Sequence, residues 1–207
     1  MDMPSYLEQI RHAVSGVLPL IWEERLRLVE LRGRLERLTA AVQREYETAE
    51  WIAINAEDAD DVAVATGRHW ETYFGPDKER HEVGHYVESL EEAVGVNEFS
   101  VQALAGAMLQ YAKQGLSIVH GGLNRAPTGR AIGSQGLKDL VWRGRNQALH
   151  WEEGRPHPSV VACFDALIAD IGAQFTHYRT RNLAFEVIEL LGWRKWEDFE
   201  ADMLTLA

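Results

Sequence analysis

The sequence predicts an all-α protein: a multi-helix up-and-down bundle with a long N-terminal heptad helix. Apolar residues recur at helical spacing through most of the chain, alternating Val/Ile/Thr-rich runs are scarce, and only six prolines interrupt 207 residues. The length suits one helical domain spanning 1–207. An apolar fraction of 46% against 26% charged residues is enough to fill a core.

Tyr6 to Ser15 reads as a short first helix ended by Gly16, and Pro19 opens the longest periodic segment. Ile21, Leu28, Leu35, Val42 and Ala49 fall seven apart, with Leu31, Leu38 and Ile52 interleaved, a seam suited to a helical hairpin or a dimer interface. The acidic run Glu57 to Asp61 suits a helix start, where the macrodipole favours anions. After Gly75-Pro76, a helix should bury Val83, Val87, Leu90 and Val94. Ser100 is expected to cap the next helix, which carries Val101 to Val119 and stops at Gly121-Gly122. Residues 121–135 read as a loop. Ser134 then caps a helix to about Trp151, stopped by Gly154, and Ser159 caps a long apolar helix through Leu191. Gly192 separates a last helix, Trp196 to Leu206, for six to eight helices in all.

Composition excludes several functions. No apolar run approaches the ~20 residues of a membrane span, and the start lacks a basic-then-apolar signal segment, so the expected compartment is cytoplasmic. A lone cysteine, Cys163, excludes an internal disulfide and multi-cysteine metal sites. The net charge of −11 disfavours non-specific nucleic-acid binding, which phosphate neutralisation mostly drives. The charge is uneven, however. Residues 125–155 carry six Lys/Arg against three Asp/Glu: Arg125, Arg130, Lys138, Arg143, Arg145 and Arg155. This island could hold phosphate, with Arg143 and Arg155 as candidate substrate-binding cations.

The helix inside this island reads LKDLVWRGRNQALHWEEG. Its buried stripe should be Leu137, Leu140/Val141, Gly144 and Ala148. At 100° per residue, Arg143, Asn146 and His150 lie roughly 200–260° from Gly144, and Arg145 lies on the flank about 100° away. One helix end thus presents arginine, asparagine and histidine together. Attack of a ribose 2′-hydroxyl on phosphorus needs a general acid/base near pH 7 and a fixed cation for the developing charge, and it needs no metal. The plainer alternative is a surface helix whose arginine pairs with Asp139 or Glu152.

Arg145-Asn146-Gln147-Ala148-Leu149-His150 resembles the R-N-x-x-x-H motif of HEPN domains, all-helical modules of toxin–antitoxin, CRISPR and phage-defence systems. The resemblance covers about 50–195 and leaves a helical extension at about 1–54. It implies a metal-independent endoribonuclease with no cofactor, in which Arg145 and His150 work and Asn146 orients them. It further implies a homodimer with a composite site across a two-fold axis, RNA as the partner, and an antitoxin or defence-system protein as a further one. Family members controlled by a nucleotidyltransferase antitoxin often carry tyrosine two positions after the histidine. Glu152 stands there instead, which speaks against adenylylation at that position. The alternative within the same fold is a non-catalytic RNA- or nucleotide-binding module.

A competing motif is His81-Glu82-Val83-Gly84-His85, which spells the H-E-x-x-H of zinc peptidases, with His81 and His85 as ligands and Glu82 as base. Its lead-in Asp77-Lys78-Glu79-Arg80 is charged, and the stripe of Val83, Val87, Leu90 and Val94 puts both histidines on the wet face. A solvated helix face is the expected reading, and a zinc-dependent hydrolase the alternative. His120 and His157 flank the basic loop, Trp142 and Trp151 could stack on bases or pack, and Cys163 reads as core. Arg181-Asn182 repeats half of the motif, but Glu186 stands near where the histidine should be.

Overall fold

The computed structural model describes residues 1–55, 66–67 and 76–207; side chains at 38, 41, 42, 45, 46, 49, 52, 53 and 76–88 lie outside that description. Six α-helices occur among the described residues: α1 (Met3–Ile54), α2 (Pro76–His120), α3 (Leu137–His150), α4 (Pro158–Asp170), α5 (Ala184–Leu191) and α6 (Trp196–Leu204). The only sheet among them is a hairpin, β1 (Ala131–Ile132) with β2 (Gln135–Gly136), antiparallel. The all-α class therefore holds. No described helix is long and apolar enough to cross a membrane.

The chain forms two compact units, Met1–Arg25 with Phe99–Ala207, and Leu26–Glu98. In the smaller unit Leu28 and Leu90 are buried, Leu31 and Leu35 are half-buried, and Arg32 Nη2 pairs with Glu98 Oε2 at 3.0 Å. The seam positions Leu38, Val42, Ala49 and Ile52, the acidic run 57–61, and Val83 and Val87 lie outside the described side chains.

The larger unit is built on one apolar cluster. The expected break at Gly16 and Pro19 does not occur: α1 runs through both, because Val14, Leu18 and Ile21 are fully buried on one face while Pro19 is exposed. Burial of an amphipathic face outweighs the lost helix hydrogen bond. The first 25 residues of the expected extension thus belong to this core. No helix starts at Ser100 either: α2 continues through it, with Val101, Ala105, Met108, Leu109, Ala112 and Leu116 buried.

The later helices also differ at their ends. Ser134 sits in the hairpin turn, where its N–H donates to Asp170 Oδ2 at 2.6 Å, and α3 starts after Gly136 with no side-chain cap. His157, not Ser159, caps α4: its Nδ1 accepts from the Ser159 N–H at 3.2 Å, with Pro158 next in line. The long apolar helix expected through Leu191 is two helices. Gly172, at φ 139°, turns the chain after α4, and the following segment folds back so that Phe175 and Tyr178 pack on the Phe164 ring, at 6.2 and 5.2 Å between centroids. Burying two aromatic rings fixes this reversal.

At the C-terminus, Asp202 ties three segments together. It accepts from Arg130 Nε (2.6 Å) and Nη2 (2.9 Å) and from Trp193 Nε1 (2.8 Å), while Arg130 Nη2 also donates to Leu191 O at 2.7 Å. The pair with Asp202 holds the Arg130 proton more tightly than usual. Lys138 Nζ donates to Ala126 O at 2.8 Å. Two members of the basic island are thus structural fasteners rather than ligands.

Candidate functional site

The site helix is α3. Leu137, Leu140, Val141, Gly144 and Ala148 are buried as the periodicity requires, and so is Gln147. Gly144 allows close packing: a Cβ there would lie 3.2 Å from Val187 Cγ1 of α5 and 3.5 Å from Leu109 Cδ1 of α2. Gln147 fixes the C-terminal end. Its Nε2 donates to Tyr178 O (2.8 Å) and Arg181 O (2.6 Å), and its Oε1 accepts from the Leu183 N–H at 3.0 Å. Asn182 Nδ2 donates to Ala148 O at 3.3 Å, satisfying one of the helix's terminal carbonyls.

Arg145 is half-buried and turns toward α2. Its Nε donates to Gln110 Oε1 at 2.6 Å and its Nη1 to Asn146 Oδ1 at 3.2 Å. Both partners are neutral, and neither Asp139 nor Glu152 pairs with it. Burial lowers its proton affinity, but a guanidinium stays charged. Arg145 is therefore a partly desolvated cation that, among the described residues, has no carboxylate to balance it.

His150 lies at the helix end with its side chain 53% exposed, and its Nδ1 meets Glu153 Oε1 at 2.7 Å. The 3-10 turn Trp151–Glu153 brings the carboxylate back, closed by Gly154 at φ 66°. An open cleft of about 410 Å³ lies here, walled by Asn146, His150, Trp151, Glu153, Arg155 and His157, with Gln147, Pro156, Val160 and Tyr178 behind them. The Nδ1 of His157 is occupied as the α4 cap.

Of the sequence-proposed residues, Asn146, His150 and Arg155 share the cleft. Arg145 stands beside Asn146 but faces Gln110, and it is not among the cleft walls; nor is Arg143, whose charge instead acts on Cys163 with that of Asp139. His120 Nε2 is engaged with Leu206 O at 2.6 Å, and Trp142 lies under Lys113 Nζ, 4.6 Å from the ring centroid. Arg181 pairs with Glu186 at 2.5 Å. The side chains of His81, Glu82 and His85 lie outside the described residues; among those described, no three His, Cys, Asp or Glu gather as a metal site.

Gln110, Gln147 and Glu153 were missed. Gln147 carried a signal, being a polar residue on the buried stripe three positions after Gly144. Gln110 carried none, since its partner is 35 residues away. In comparisons with known proteins, the chain matches no family model, no curated protein and no solved structure.

Proposed function

We propose that the protein is a metal-independent endoribonuclease of HEPN type, acting in the cytoplasm as a homodimer within a toxin or defence system. The observation that carries this reading is the unbalanced, half-buried Arg145 beside Asn146, on the same helix end as the exposed His150. A cation kept free of carboxylates suits a phosphodiester, whose transition state gathers negative charge on the phosphoryl oxygens.

In this reading the ribose 2′-hydroxyl attacks phosphorus, the O2′–P bond forms, and the P–O5′ bond breaks. An imidazole of His150 takes the 2′-hydroxyl proton, and protonated imidazole gives one to the departing 5′-oxygen. The products are a 2′,3′-cyclic phosphate and a 5′-hydroxyl. Arg155 on the cleft wall, and Arg143 farther along α3, would contact flanking phosphates. Because Arg145 and His150 face different ways on one helix, the two groups would meet when two copies pair. An antitoxin or defence-system protein would then act by covering that junction.

Incubating a fluorescent single-stranded RNA with the protein in EDTA tests the reading; cleavage to cyclic-phosphate ends supports it. RNA binding without cleavage would move the protein to a non-catalytic binding module, a reading that the separate orientation of Arg145 and His150 in one chain also accommodates.

A further inference from the structure

Gln110 and Lys113 stand one helical turn apart on α2, and Trp142 and Arg145 one turn apart on α3. Gln110 holds Arg145 while Lys113 lies over Trp142, so the two helices run antiparallel here and set both cations along one seam. Both cations are half-buried. Arg145 is held by two amides and Lys113 by an indole face, and among the described residues neither meets a carboxylate. The chain's net charge is −11, yet among the described residues this seam pairs with no carboxylate.

Burial lowers the proton affinity of Arg145, and no described carboxylate pairs with either cation to offset its charge. A neutral acceptor at position 110 fixes Arg145 without cancelling its charge. With Nε on Gln110 and one Nη1 hydrogen on Asn146, the remaining Nη1 and Nη2 hydrogens form the outer end of the guanidinium fork, the geometry that grips phosphate oxygens. The ring under Lys113 likewise restrains the ammonium and leaves its charge intact.

We propose that the α2/α3 seam is a two-cation phosphate seat for the RNA backbone, in which Lys113 is a second phosphate-binding residue and Gln110 a positioning residue that keeps Arg145 uncompensated. This rests on the ribonuclease reading and names residues of its substrate site.

The test uses a fluorescein-labelled 2′-O-methyl oligoribonucleotide, which lacks the attacking hydroxyl, in anisotropy titrations of the full-length protein, alongside cleavage of the unmodified RNA. Gln110→Glu retains the size and the hydrogen bond and should leave thermal stability equal or higher, because it forms an ion pair with Arg145. Its affinity should nevertheless fall at least about tenfold, with the salt dependence of binding shallower by roughly 0.7 per lost phosphate contact. Lys113→Gln should weaken binding about three- to tenfold and raise KM rather than lower kcat. A merely structural Gln110 predicts the same stability but an unchanged affinity for Gln110→Glu, so affinity is the discriminating readout. Wild-type-like affinity and salt slope in both variants, or no saturable binding by the wild type, would overturn the proposal. Wild-type binding that both variants weaken, without cleavage of the unmodified RNA, would uphold the seat and sink the ribonuclease reading; cleavage unaffected by either change would do the reverse.

Discussion

Arg145 and His150 stand five positions apart in α3, which turns them about 140° from each other around the helix axis. Arg145 is fastened to Gln110 on α2, while His150 opens onto the cleft with Glu153. In the proposed reading, a reacting phosphate that touches both draws them from different chains. Two outcomes follow. Light scattering should give twice the 23.4 kDa chain mass. Mixing Arg145→Ala with His150→Ala protein, each inert alone, should restore cleavage, since one junction of the mixed dimer keeps an intact pair. An inert mixture of well-folded dimers would show that the site lies within one chain.

Gln147→Ala should cost about 2–4 kcal/mol, because it leaves the buried Leu183 N–H and the carbonyls of Tyr178 and Arg181 without their partner. Urea denaturation checks this. An unchanged midpoint would mean that water reaches those groups.

Alkaline pH should destabilise the fold through two buried acids. Burial, helped by Asp139, pushes the Cys163 thiol up from 9.0 to about 12. Burial, with Tyr111 nearby, pushes the Tyr6 phenol up from 10.0 to about 12; its hydroxyl donates to Tyr111 O at 2.6 Å. Both folded values exceed the unfolded ones, so the stability these groups contribute is fully present below pH 9 and is lost as pH rises toward 12. Denaturation midpoints should fall over that window, less steeply in Tyr6→Phe. Cys163 should also resist maleimide at about pH 8 until denaturant is added; rapid labelling of native protein would contradict its burial.

Periodicity made α3 legible, since burial of Leu137, Leu140, Val141, Gly144 and Ala148 follows from one face meeting a core. It failed where local signals were overridden by packing. Pro19 and Ser100 read as boundaries, yet each sits on a helix whose apolar face continues past it. The reversal after Gly172 did carry local signals, Gly172 itself and the polar stretch Thr176 to Asn182, but the apolar runs 160–171 and 183–191 on either side of it read as one helix. At the site, Asn146, His150 and Arg155 came from one stretch of sequence and share one cleft. Gln110 came from another helix, and pairing between distant residues leaves no local pattern.

In the proposed function, Arg145 and His150 carry a metal-independent cleavage of RNA. The most direct measurement is the rate of cleavage of a fluorescent single-stranded RNA in EDTA by wild-type, Arg145→Ala and His150→Ala proteins, with circular dichroism confirming equal helicity. Wild type should cleave and leave 2′,3′-cyclic phosphate ends; each alanine variant should be slower by about 10²–10⁴, with Asn146→Ala affected less. Cleavage at the wild-type rate by both Arg145→Ala and His150→Ala would contradict the account.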